Sequence, residues 1–195
     1  NKSEVPGIAA AVSVAAFTDP VSGSSYLYWN NSALWGVELQ AGFVGFAGDP
    51  VQLLNENSTG IEVFDRNGKY YFLRTLIAET EAQIVAATGA SALAINGTGS
   101  SLMRQDLNNL LLAPGGATVL RIPGSDNYYM GYQCTSLSGT GIGIEKINFQ
   151  ENGSMLSLLP TYTGIQPVEI TGDVVNSVEI PVLSAAGIMN GLGKN

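Results

Sequence analysis

Short runs of β-branched and aromatic residues, each closed by Gly, Pro, Asn or Asp, recur along most of this chain. Runs of that length make strands, and that punctuation makes the backbone reverse. The plainest instance is Ile61-Glu62-Val63-Phe64 and Tyr70-Tyr71-Phe72-Leu73 on either side of Asp65-Arg66-Asn67-Gly68-Lys69. Asn followed by Gly supplies the two positive φ angles of a tight hairpin turn, so an antiparallel pair is predicted here. The same pattern joins Tyr26–Trp29 to Leu34–Phe46 through Asn30-Asn31-Ser32, and Thr118–Ile122 to Tyr128–Gln133 through residues 123–127. It also joins Ile142–Phe149 to Met155–Leu159, and Val168–Thr171 to Val174–Val182. The expected fold is mainly β, an antiparallel β-sandwich or barrel-like domain. No sequence repeat of fixed period accompanies it.

Two segments depart from this pattern. Between about residues 75 and 113 the apolar spacing turns helical, and a short helical insert is predicted. Its first helix runs from Leu76 to Ala87 and is stopped by Gly89. Its second is capped by Ser101, carries Leu102, Met103, Leu107, Leu110 and Leu111, and ends at Pro114-Gly115-Gly116. The other segment is the apolar stretch holding Ile8, Val12, Val14 and Phe17, closed by Thr18-Asp19-Pro20. One reading makes it the domain's own first strand. The other makes residues 1–17 an exchange arm that adds to the open sheet edge of a neighbouring subunit, leaving 18–195 as a single β-rich globular domain. Burying those four side chains against a neighbour is worth on the order of 6–12 kcal/mol before entropy costs.

Charge narrows the partners. Charged residues make up 12% of the chain, with 8 basic against 16 acidic and a net charge of −8. The basic residues are scattered, so no stripe neutralises a row of phosphates, and neither nucleic acid nor an anionic membrane surface is an expected partner. The apolar run from Gly7 to Phe17 is too short to span a bilayer. The chain begins with Asn1, which fits a removed leader and an extracellular or cell-surface location. A surface this poor in charge needs cover from neighbours or from glycans. Asn-x-Ser/Thr occurs at Asn1, Asn30, Asn57, Asn96 and Asn152, and the last four fall in expected turns or loops. Asn30, Asn57, Asn96 and Asn152 are therefore the candidate acceptors for N-linked glycans.

Catalytic signatures are sparse. The chain has no histidine, which removes Ser-His-Asp triads, Cys-His pairs and histidine metal sites. Cys134 is the single cysteine and reads as a small buried hydrophobe. Gly139-Thr140-Gly141-Ile142-Gly143 is followed by a strand pattern, so it reads as a bend or a close approach of backbones. Asp65-Arg66-Asn67-Gly68 is turn chemistry and only a fragment of a calcium loop. Carboxylate chemistry survives this search, because a glycosidase needs only two acids brought together by the fold. Glu79 and Glu81 point apart on a helix and do not supply them. Tyr26, Tyr28, Trp29 and Trp35, and Tyr128, Tyr129 and Tyr132, are clusters that suit either core packing or sugar stacking.

With no catalytic residue, cofactor or metal expected, the sequence points to a non-enzymatic structural subunit. The outline is similar, in composition and layout, to subunits of strand-exchanging pili and to viral coat and decoration proteins. The leading expectation is a pilus-like filament or surface-layer subunit whose partners are copies of itself, with Ile8, Val12, Val14 and Phe17 at the contact. A viral capsid or decoration protein and a secreted carbohydrate-binding domain are the alternatives.

Overall fold

A computed structural model of the chain describes residues 5–6, 11–30, 32–77, 81–105, 113–136 and 139–161. Three sheets follow one another along it. The first holds β1 (Ser13–Thr18), β2 (Ser25–Asn30), β3 (Leu34–Glu38) and β4 (Val51–Leu54). The second holds β5 (Thr59–Arg66), β6 (Lys69–Ile77), β7 (Ala82–Ser91) and β8 (Ala94–Arg104). The third holds β9 (Ala113–Arg121), β10 (Tyr128–Ser136) and β11 (Gly139–Ile147). Every pairing joins sequence neighbours and is antiparallel.

Turn chemistry sets the register locally. Asn67 takes φ 55° and Gly68 φ 75°, and Arg66 pairs with Lys69 across them. The expected hairpin is β5–β6. The β2–β3 and β9–β10 hairpins also form where the Asn-Ser and Pro-Gly-Ser-Asp-Asn clusters put the reversals.

The sheets stack face to face, and the first strand of each packs on the first strand of the next: β1 on β5, and β5 on β9. The sheets are thus blades fanned out from their adjacent first strands, β1, β5 and β9, the arrangement of a β-propeller. Blade starts recur at roughly 50 residues, a spacing typical of such folds. No sequence repeat marks them, because the blades meet different surroundings.

Blade 2 is covered on both faces. Phe72 joins Ile61 and Val63 against Tyr28 and Leu34 of blade 1. Its neighbours Tyr71 and Leu73 join Phe64 and Ile84 against Tyr128, Met130, Tyr132 and Ile147 of blade 3. The aromatic rings interlock, with Phe64 stacked on Tyr71 at 4.9 Å and Phe72 edge-on to Tyr28 at 6.0 Å.

This two-sided burial corrects the helical insert. Residues 82–91 and 94–104 are the strands β7 and β8, and no α-helix occurs among the described residues. Ile84-Val85-Ala86-Ala87 is buried without a break, because one side chain points to each neighbouring blade in turn. Alternation disappears in a strand buried on both faces, and the alanines then mimic helical composition. Residues 106–112 of the second predicted helix lie outside the described residues, as do Val168–Thr171 and Val174–Val182.

The apolar N-terminal stretch also resolves in part. Residues 13–18 form β1, paired with β2 of the same chain from Ser13↔Asn30 to Thr18↔Ser25. Phe17 stacks on Tyr26 and meets Tyr70 edge-on inside this chain. Val12 and Val14 are exposed, on the face of blade 1 turned away from blade 2. Ile8 lies outside the described residues.

Candidate functional site

The innermost strands leave part of their backbone unpaired, since β1, β5 and β9 lie in separate sheets. Side chains take over where β5 and β9 meet. Glu62 on β5 accepts a hydrogen bond from the Val119 N–H of β9 at 3.2 Å. Thr75 Oγ1 accepts one from the Gly116 N–H at 3.1 Å. Gly60 and Gly116 both take positive φ, and a Cβ on Gly60 would stand 3.4 Å from the Gly116 Cα. A side chain there would hold the two innermost strands apart.

Between blades 1 and 2 the seam is also polar. Ser13 Oγ donates to Asn30 Oδ1 at 2.5 Å, and Asn30 Nδ2 donates to Ser58 Oγ at 3.4 Å. The buried Arg74 guanidinium is paired with Glu56 and also donates to the Thr98 carbonyl. A buried charge needs such partners, so this pair fixes the blade 1–blade 2 junction.

Beside the β5–β9 seam, blade 3 carries an open cleft of about 480 Å³. Gly116 and Gly131 leave its floor low, and Thr118, Gln133 and Thr140 supply hydroxyl and amide groups at its walls. Ile142, 68% exposed, forms its apolar lip. These groups are uncharged, and among the described residues no group of three His, Cys, Asp or Glu could hold a metal ion. The exposed lining is mainly apolar, with hydroxyl and amide groups set into it by Thr118, Gln133 and Thr140. Glu62 lies behind this wall. Burial pushes its carboxyl above the usual range, opposed by hydrogen bonds from the Val119 N–H and the Thr118 hydroxyl. Glu145 on β11 is raised by burial too, although Thr161 donates to it from both its N–H and its hydroxyl.

The glycan-acceptor candidates part company. Asn57, Asn96 and Asn152 are exposed, whereas Asn30 is 0% exposed and bonded within the blade 1–blade 2 seam. An acceptor must reach solvent, so the folded chain does not present Asn30. Cys134 is half-buried and packs against the blade 2–blade 3 core. Tyr28, Trp29, Tyr128, Tyr129 and Tyr132 are all buried. Glu81 is exposed, and Glu79 lies outside the described residues. Sequence reasoning passed over Glu62, Thr118 and Gln133. One signal was there: Glu62 shares a strand face with Phe64, so an acid sits where the pattern calls for an apolar side chain.

No family model and no curated protein matches this sequence. Solved structures match its fold. A glycoside hydrolase is 17% identical with a TM-score of 0.65, over 82% of this chain and 39% of that one. A thermostable family-43 glycoside hydrolase is 18% identical with a TM-score of 0.65, over 79% of this chain and 59% of that one. An α-L-arabinofuranosidase from Lactobacillus brevis is 14% identical with a TM-score of 0.63, over 74% of this chain and 55% of that one. The chain thus spans between 39% and 59% of the length of these structures. Its blades are those of a propeller fold that glycoside hydrolases use. That finding overturns the expectation of a non-enzymatic filament or surface-layer subunit, and with it the pilus-like assembly. The strand proposed for exchange, β1, is paired inside its own chain.

Proposed function

We propose that this chain is a carbohydrate-active module that takes a neutral glycan, with glycosidic-bond hydrolysis as its reaction class. The observation that carries this reading is the succession of three antiparallel blades packed through their first strands, a fold similar to that of glycoside hydrolases at a TM-score of 0.65. Two further features support it. The cleft beside the β5–β9 seam offers hydroxyl and amide groups without a cation, as uncharged sugar hydroxyls require. Glu62, on an innermost strand behind that wall, accepts a hydrogen bond from the Val119 N–H at 3.2 Å and so holds the cleft-lining segment at Thr118 in place.

The test is a panel of neutral oligosaccharides, xylose- and arabinose-based ones first, incubated with the chain. Released sugars are followed by chromatography, and binding is read in parallel on a glycan array. Hydrolysis or selective binding of a neutral glycan supports the proposal. A folded chain that neither cleaves nor binds any member of the panel refutes it.

A further inference from the structure

A second cleft, of about 390 Å³, opens at the far end of blade 1, where β1 ends and β2 begins. One wall is the β1–β2 turn, Ser22 to Ser25. The other is the end of β3 with the loop that follows, Glu38 to Phe43. Three observations set it apart from an ordinary surface hollow.

Both walls are held rigid. In the first, Asp19 accepts hydrogen bonds from the Val21 N–H at 2.9 Å, the Ser22 hydroxyl at 2.7 Å and the Tyr70 hydroxyl of blade 2 at 2.9 Å. In the second, Gln40 N–H donates to the Gly45 carbonyl and Ala47 N–H to the Glu38 carbonyl, both close to 2.9 Å. The walls are then tied together, with Leu39 N–H donating to the Ser25 carbonyl at 2.8 Å and Ser24 Oγ to Glu38 Oε1 at 2.8 Å.

The tip of the second wall is strained. Phe43 takes φ 58°, the left-handed region that a bulky side chain occupies only against a steric penalty. Phe43 is 68% exposed and lines the cleft. Strain of this kind persists where a side chain is held for use.

The chemistry is that of a sugar subsite. An exposed aromatic side chain and, on the same wall, a carboxylate that keeps free lone pairs after accepting from Ser24 lie across from the serines of the first wall. A pyranose or furanose ring presents C–H groups to the first and hydroxyls to the second. The cleft lies within the roughly 300–1,000 Å³ range of small-ligand sites.

We propose that this cleft is a saccharide subsite, separate from the blade 3 cleft, in which one neutral sugar unit stacks on Phe43 and donates hydroxyl hydrogen bonds to Glu38. The proposal rests on the carbohydrate-active reading above, and the test separates the two.

Xylotetraose, arabinotetraose and cellotetraose are titrated into the isotopically labelled wild-type chain and followed by amide chemical shifts. The variants Phe43→Gly, Phe43→Trp and Glu38→Gln are then titrated alongside it. The expected result is a saturable set of shifts at residues 22–25 and 38–43 for at least one sugar. Affinity should fall at least tenfold in Phe43→Gly and in Glu38→Gln and be retained in Phe43→Trp. Phe43→Gly relieves the left-handed strain, so its thermal midpoint should not fall, and lost binding then reports the lost ring rather than unfolding. Shifts confined to the blade 3 cleft, or affinity unchanged in Phe43→Gly, overturn this subsite and leave the carbohydrate reading standing. The absence of any sugar-dependent shift overturns both.

Discussion

Phe72 and Leu73 are adjacent in β6, both are 0% exposed, and they belong to different cores. A strand with one buried face has one costly residue in any adjacent pair. A strand between two blades has two. Phe72→Ala removes the ring packed edge-on to Tyr28 and is expected to cost about 3–5 kcal/mol. Leu73→Ala opens a cavity on the blade 3 side and is expected to cost about 2–5 kcal/mol. For a chain of this size each kcal/mol shifts the thermal midpoint by about 2–4 °C. Both single variants should therefore melt at least about 4 °C below the wild type. The loss in each is measured by urea unfolding at constant m, followed through the fluorescence of Trp29 and Trp35. The double variant, with its two cavities in separate cores, should approach the sum, about 5–10 kcal/mol, and exhaust most of a domain's usual stability of about 5–15 kcal/mol. If either single variant loses less than about 1 kcal/mol, blade 2 is not covered on both faces and the stacking described above is wrong.

Further outcomes follow from the seams. The fold raises the Glu62 and Glu145 carboxyls from 4.5, so it favours their protonated forms. Their contribution to stability is fully present below pH 4.5 and is lost as pH rises through the raised values. Glu62→Gln and Glu145→Gln should each flatten the stability profile above pH 4.5, as read from urea midpoints. Asp19 behaves oppositely: the Ser22 hydroxyl and Val21 N–H lower its carboxyl below 3.8, so its contribution is present above that pH and is lost on acidification, and Asp19→Asn should remove that loss. Gly143 lies under Tyr132, and a Cβ there would stand 2.3 Å from the ring, so Gly143→Ala should cost about 1–3 kcal/mol in a melting assay. Combining it with Tyr132→Leu should cost less than the sum of the two. The Arg66–Asp126 pair joins the β5–β6 turn to the β9–β10 turn, but Asp126 is 56% exposed. Asp126→Asn should cost less than about 1 kcal/mol, and the difference should shrink further in high salt.

What the sequence revealed follows a physical division. The β5–β6 hairpin was legible because Asn67-Gly68 determines its own φ angles without help from the rest of the chain. β7 was misread because its burial comes from blades distant in sequence, which erased the alternation that marks a strand, whereas β8 is largely exposed and buries only the adjacent Leu102 and Met103, which read as a helix start. The acceptor at Asn30 looked like a turn residue, yet its partners include Ser58, 28 residues on in the connection that leads into β5. The β5–β9 seam was invisible for the same reason: Glu62 meets Val119, 57 residues away, and no local pattern announces that pairing. Phe43 was hidden inside the expected strand Leu34–Phe46, whereas β3 ends at Glu38 and a turn at Ala41–Phe43 follows, so its left-handed backbone becomes visible only in three dimensions.

Whether these blades carry the proposed glycan site is decided by saturation-transfer difference NMR on the intact chain. Xylose- and arabinose-based oligosaccharides are each mixed with the folded chain, and only its methyl and aromatic protons are irradiated. Transfer to sugar C–H protons is expected for at least one of these sugars, with the transfer reduced in Phe43→Gly. Transfer to none of these sugars, with the chain shown folded by its amide spectrum in the same tube, would contradict the proposed site.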